Sequence, residues 1–231
     1  MVDAELMAKL YNDQDYEYHR RVNSFVHKTA IIGRNVSIGE DCYIGPYCTI
    51  QSNVIIGNGN IFEAHVSIGS PAEHKDDKFN RLKFEQDGLI RIGDNNQFKE
   101  FITINRPTKT LTRVGSRCFI MRGCHISHDS LVDDDVIMSC NVVLGGHSWV
   151  MDGAYLAIGS ITHPFTVIGP YAMLGMGTIA TKKTQIKPWR IYTGSPARFL
   201  KMNRVGVHRS NLTLRHYFQH NRTYNIALGA R

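Results

Sequence analysis

Aliphatic residues recur every six positions along most of the chain. Ile32, Ile38, Ile44, Ile50, Ile56, Phe62 and Ile68 follow one another without interruption. The same phase returns at Ile92, Phe98 and Ile104. It then moves by four and runs through Val114, Ile120, Ile126, Val132, Met138, Leu144, Val150 and Leu156, and past Thr162 to Ile168, Leu174, Ala180 and Ile186. Mostly small residues sit two places earlier: Ala30, Val36, Cys42, Cys48, Val54, Asn60 and Val66. A helix of about 3.6 residues per turn loses phase against such a period. A short strand plus a turn in every six residues keeps it. The aliphatic residue then points inward, and a Gly or Asn beside it is expected to supply the left-handed turn conformation. Three such sides close one coil of 18 residues, and stacked coils rising about 4.8 Å each form a parallel β-helix.

The expected fold is therefore all-β. Six-residue repeats resemble the left-handed parallel β-helix, an exception to the right-handed crossover rule, and that resemblance supplies the handedness. The pattern divides the chain into an N-terminal extension (1–24), the β-helix (25–199) and a C-terminal tail (200–231). Polar, aperiodic insertions interrupt the β-helix at 70–89 and 105–113. Long irregular loops in a compact domain are usually functional or disordered. A helix is expected over 1–22, packed on the first coil, and a short one between Asn211 and Leu228.

Charge changes the picture more than composition does. The net charge is +7, but residues 1–152 hold all 20 Asp and Glu, whereas residues 153–231 hold 11 Lys and Arg and no acidic residue. A basic C-terminal third calls for an acidic partner or a phosphate-bearing ligand. No base-stacking or groove-reading motif accompanies the basic residues, which sets nucleic acid aside. No apolar run approaches the ~18 residues of a membrane span, and no secretory leader is visible, so a cytoplasmic location is expected. Of the five cysteines, Cys42, Cys48, Cys118 and Cys124 share the position two before a register residue. They read as packing in a narrow interior rather than as disulfides.

Three histidines carry the candidate chemistry. His128, His147 and His163 are separated by nearly one coil each, which stacks them along one edge of the prism. His125 lies three residues before His128. Asp129, directly after His128, can fix the tautomer of a neutral imidazole and raise its basicity. Gly145-Gly146-His147 exposes backbone N–H groups suited to a developing oxyanion. Metal binding is the competing use of such a column. Prism-shaped γ-type carbonic anhydrases resemble this fold and bind metal through three histidines, but their His-x4-His pair is missing here.

Cys124-His125-Ile126-Ser127-His128-Asp129, Gly145-Gly146-His147, Thr162-His163-Pro164-Phe165 and Asn203-Arg204-Val205-Gly206-Val207-His208-Arg209 together resemble the acyl-carrier-protein–UDP-N-acetylglucosamine O-acyltransferases of lipid A biosynthesis. The resemblance covers roughly residues 25–210. It implies a homotrimer with sites between neighbouring β-helices, and direct acyl transfer without an acyl-enzyme or added cofactor. His128 matches the general base, Asp129 its supporting carboxylate, and Gly146 the oxyanion donor. His125, His147 and His163 match residues lining the sugar and nucleotide site, and Asn203 and Arg209 those holding the nucleotide phosphates. Asp76 and Lys78 match an Asp-x-Lys substrate contact in the first loop. Met176 falls where the family sets acyl length, and its bulk implies a short or medium acyl group. The implied partners are an acidic acyl carrier protein and a UDP-amino sugar acylated at its 3-hydroxyl or 3-amine.

The chain departs from that pattern in places. Pro164 replaces a Gln and Val205 a Glu, and only about 32 residues follow the coils, against a helical domain in the family. Gly194-Ser195-Pro196-Ala197-Arg198 looks instead like the coil-ending segment of hexapeptide acetyltransferases, which makes a CoA-dependent nucleotide-sugar acetyltransferase the second reading. A metal-dependent carbonic anhydrase and a non-catalytic scaffold follow.

Overall fold

In a computed structural model the chain winds into a parallel β-helix with three flat faces. The structure describes residues 16–19, 23–73, 88–109, 111–182 and 184–229. The faces are sheets of 11, 8 and 7 strands, here faces 1, 2 and 3, visited in that order on each coil. Strands are mostly two residues long, and consecutive coils pair in parallel: Ile32 with Ile50, Ile50 with Ile68, Ile126 with Leu144, Leu144 with Thr162. Ile44, Phe62, Phe98, Ile120, Met138 and Leu156 are sealed inside with their equivalents on the other faces. Phe62 and Phe98 stack at 4.7 Å in the interior.

The expected source of the turns needs one correction. Left-handed backbone falls three residues after most register positions, as at Asn35, Asp41, Tyr47, Asn53, His65, Asp129 and His147, and at the adjacent glycine only at Gly69, where the first insertion leaves. Those adjacent glycines are required by crowding. A Cβ on Gly33 would lie 2.7 Å from the Ser52 nitrogen, and one on Gly45 would lie 2.8 Å from the Phe62 carbonyl oxygen. The coils stack too closely there for any side chain.

The four register cysteines are buried, and their thiols donate to carbonyls of the next coil. Cys48 Sγ reaches Glu63 O at 3.0 Å, Cys118 Sγ reaches Asp133 O at 3.1 Å and Cys124 Sγ reaches Ser139 O at 3.0 Å. Beside them Asn60 and Asn96 form an internal ladder, Asn96 Nδ2 donating to Asn60 Oδ1 at 2.9 Å. These polar atoms enter the interior with a backbone or amide partner, as burial demands.

Both insertions erupt at the edge between faces 2 and 3, on successive coils. The first leaves after Ser67–Ser70 and returns at Leu89–Ile92; the second leaves after Thr103–Asn105 and returns at Leu111–Val114. They brace each other: Asn105 Nδ2 donates to Pro71 O at 2.6 Å, Arg106 N to Ser70 O at 2.8 Å, and Pro107 closes on Gly88. This edge, immediately below His128, is where the site is built.

Two ends differ from the repeat. Where the sequence leads one to expect helix, Tyr16–His19 form a strand antiparallel to Ser24–His27, which joins the first coil. The rest of the expected helix, residues 1–15, lies outside the described residues. At the other end Arg190–Thr193 pairs antiparallel with Arg198–Met202 and closes the stack. Two helices follow, α1 (Arg204–Arg209) and α2 (Leu214–Gly229); the second matches the expected tail helix. Helix α2 lays Tyr224 and Ala227 against Met151, Val167 and Trp149 of face 3. No described helix is long and apolar enough to cross a membrane.

Candidate active site

At the edge between faces 2 and 3, successive turns place His128-Asp129, Gly146-His147 and Pro164-Phe165 above one another. All three histidines of the column do lie along this edge, but at three different turn positions, because their spacings are not whole coils. His128 occupies the first turn position and His147 the second. His163 stands just before the turn. The residue in true register above His147 is Phe165, whose ring stacks on the imidazole at 4.5 Å and 5°. His147 in turn meets His128 edge-on at 5.2 Å. His163 is exposed one coil higher, its Nδ1 2.9 Å from Pro164 O.

Asp129 is the most heavily bonded side chain of the group. Its Oδ2 accepts from His128 Nδ1 at 2.8 Å, from the Thr108 N–H at 2.8 Å and from the Thr108 hydroxyl at 2.7 Å. Its Oδ1 accepts from the Lys109 N–H at 3.0 Å, and its own N–H donates to Thr112 Oγ1 at 2.9 Å. Burial alone would raise its carboxyl. The donors from His128, Thr108 and Lys109 outweigh that and hold it well below the usual carboxylate range. An ionised Asp129 can only accept, so His128 Nδ1 carries the proton and Nε2 keeps its lone pair.

That nitrogen borders Gly146 on the next coil. A Cβ at position 146 would lie 2.6 Å from His128 Nε2. Among the described residues the Gly146 N–H has no hydrogen-bond acceptor, while its carbonyl accepts from Phe165 N at 2.9 Å. A base atom and a free donor thus border the same small space. No hydrogen bond joins Ser127 to His128 among the described residues.

His125 projects from face 2 beside this corner, its Nδ1 2.7 Å from Thr103 Oγ1. Burial lowers its pKa, and nearby His128 adds to that, against a raising influence from Glu73. Above His125 the outward positions of face 2 turn apolar: Val143, then Ile161, then Ile179. They run up face 2 to the coil whose edge between faces 1 and 2 carries Met176, 74% exposed.

Asn203 lies elsewhere. Its Nδ2 donates to Tyr171 O at 3.0 Å, its Oδ1 caps α1 at Gly206 N, and its N–H bonds Trp189 O, all at the edge between faces 3 and 1. Both ends of its amide therefore serve the fold. Arg209 is exposed at the end of the same helix. Asp76 and Lys78 lie outside the described residues.

His128, Asp129 and His147 are the one group among the described residues whose ligand atoms lie close enough to hold a metal ion. The donor set opposes it. Asp129 Oδ2 already accepts three hydrogen bonds, and His128 Nδ1 is committed to one of them, so a cation would have to displace the bonds that order the site.

Sequence reading missed Thr108 and Phe165. Phe165 could have been found by counting 18 residues on from His147. Nothing in the sequence pointed to a contact between Thr108 and Asp129.

Fold and corner together define a hexapeptide-repeat β-helix with a hydrogen-bonded His-Asp pair on one edge. A pattern described as bacterial transferase hexapeptide (six repeats) matches residues 35–70. The acyl-[acyl-carrier-protein]–UDP-N-acetylglucosamine O-acyltransferase of Syntrophobacter fumaroxidans is 33% identical over 81% of this chain and 78% of its own. The chain belongs to that acyltransferase family. The enzyme of the same name from Synechocystis is 31% identical over 71% of this chain, which spans 57% of that relative's length. Among solved structures, LpxA of Acinetobacter baumannii superposes with a TM-score of 0.67 at 28% identity, covering 81% of this chain and 78% of its own. The UDP-N-acetylglucosamine acyltransferase of Francisella novicida has the same fold, with a TM-score of 0.71 at 23% identity over 87% of this chain and 79% of its own.

Proposed function

We propose that this protein transfers an acyl group from an acyl-carrier-protein thioester to the 3-hydroxyl or 3-amine of a UDP-N-acetylglucosamine-type sugar. The single observation carrying this is the His128 ring, fixed by an ionised Asp129 with Nε2 beside Gly146. The acceptor oxygen (or nitrogen) attacks the thioester carbonyl carbon as His128 Nε2 takes its proton. The tetrahedral oxyanion is met by the Gly146 N–H, and its collapse expels the carrier thiolate, which regains a proton from the imidazolium. His125, His147 and His163 line the acceptor's approach, with Phe165 as a flat apolar wall. The acyl chain lies along Val143, Ile161 and Ile179 toward Met176, whose bulk limits it to short or medium length.

Asn203 and Arg209 leave from a different edge than His128. A nucleotide held by that segment and a sugar held at His128 therefore belong to neighbouring chains, which supports a homotrimer. Asp76 and Lys78, outside the described residues, keep the substrate-contact role that the resemblance implies. The acid-free C-terminal third, which includes α2, suits docking of an acidic carrier protein. Gly194-Ser195-Pro196-Ala197 is used structurally: Ile179 N donates to Gly194 O at 3.0 Å and Ala197 N to Ile179 O at 2.8 Å, closing the last coil.

The test is mass-spectrometric detection of acylated sugar with UDP-N-acetylglucosamine and its 3-amino analogue. Carrier-protein and CoA thioesters of graded length are supplied in parallel. Product from the carrier thioester is expected. Turnover with acetyl-CoA alone would replace this reading by the acetyltransferase one, and no product from any donor would reject both.

A further inference from the structure

We infer that Thr108, supplied by the second insertion, is a positioning residue that fixes Asp129 and through it the proton-bearing nitrogen of His128. This rests on the proposed role of His128 as the base. The second insertion lengthens its coil by four residues: Thr103 pairs with His125 and Val114 with Ile92, each 22 apart instead of 18. A β-helix corner does not need those residues. Here they carry Thr108 to the turn above, where its N–H and its hydroxyl both meet Asp129 Oδ2.

The geometry explains why two donors from one residue matter. Asp129 Oδ2 has two imidazoles within reach, His128 Nδ1 at 2.8 Å and His147 Nε2 at 3.8 Å. A carboxylate free to rotate would divide itself between them. The paired Thr108 donors, with Lys109 N–H on Oδ1, set the carboxylate plane so that the remaining direction on Oδ2 points to His128. The insertion is itself held by the stems of the first loop, through Asn105 to Pro71 and Arg106 to Ser70. The hold therefore runs from loop stems to Thr108, to Asp129, to His128. Thr108 touches no reacting atom in this account.

Thr108→Val keeps the shape and the backbone N–H but removes the hydroxyl; Thr108→Ser restores it. In the full chain, kcat of the Val variant is expected to fall roughly ten- to hundredfold, the range for losing a hydrogen bond to a charged group, with KM for the sugar little changed. Nitrogen-15 NMR of the histidine rings should show His128 losing its single Nδ1–H signature in the Val variant and regaining it, with kcat, in the Ser variant. An unchanged Nδ1–H signature in Thr108→Val overturns the inference, whatever happens to turnover. His128→Ala, assayed alongside, reports on the base separately: full turnover there rejects the base reading while the NMR result still decides Thr108.

Discussion

The His128 imidazole occupies the space that any side chain at position 146 would need, with Nε2 2.6 Å from where a Cβ of Gly146 would stand. Glycine there leaves room for the ring and exposes an N–H beside it. Gly146→Ala should preserve the fold, because the clash is with a side chain at an edge of the prism, but should displace the ring. Misplacement on this scale costs on the order of a hundredfold in kcat. A crystal structure with an undisplaced His128, or a wild-type rate, would contradict this.

Removing the imidazole tests the same space from the other side. His128→Ala is expected to lower kcat by roughly 10²–10⁴-fold, the usual share of general acid–base work. Melting temperature should change little, since the ring packs at the edge rather than in the sealed interior. Retained turnover in a folded variant would assign the base elsewhere.

Asp129 links activity to pH stability. Asp129→Asn puts an amide NH2 among groups that all donate, so at least one of the bonds from His128, Thr108 and Lys109 is lost. A fall in kcat of roughly 10²–10⁴-fold is expected, since the tautomer of His128 is no longer fixed. The folded carboxyl is held below its ordinary value of 3.8. Its contribution to stability is therefore complete above that value and is lost only as pH falls through the lower, folded one. Denaturant titrations should show the widest gap between the wild type and the Asp129→Asn variant near neutrality. That gap should narrow only in strongly acid solution; a gap that grows on acidification would contradict the assignment.

The thiols give a reading of the interior. Burial pushes Cys48 up to about 11 and Cys118 and Cys124 up to about 12, and raises Cys42 as well. Thiolate is the reactive form. Iodoacetamide on the native protein should label Cys140, which alone of the five is not buried, and reach the other four only after unfolding. Labelling of Cys124 at a rate like that of Cys140 would mean the coils open locally beside the site.

Much of this architecture was legible because the constraint is periodic. Ile104 to Val114 departs from six by four, and the structure turns that phase shift into the second insertion. The interior places of Cys118 and Cys124 follow from the same count. The corner was legible only in part. The spacings 19 and 16 put His128, His147 and His163 on one edge but not in one register, and strict counting by 18 would have paired His147 with Phe165. Nothing in the Asn203 motif said that its amide also donates to Tyr171 O and caps α1. Thr108 was invisible for a plain reason: an insertion is by definition outside the repeat, so no period says where it returns.

The acyl channel offers a further test. Val143, Ile161 and Ile179 stack outward on face 2 and carry an apolar lane from His125 up to the coil of Met176. On the proposed reading, an acyl chain threaded along that lane with its carbonyl at His128 ends at Met176, whose side chain stands 74% exposed. Each methylene that reaches buried apolar contact adds about 0.8 kcal/mol, close to fourfold in kcat/KM, so preference should rise with chain length up to the block and then fall. Met176→Gly removes the block without touching the interior. The optimum should move to longer chains, with rates on short donors nearly unchanged, in competition assays with mixed carrier-protein thioesters. Efficient transfer of a fourteen-carbon chain by the unmodified protein, or an optimum that stays put in Met176→Gly, would place the end of the channel elsewhere.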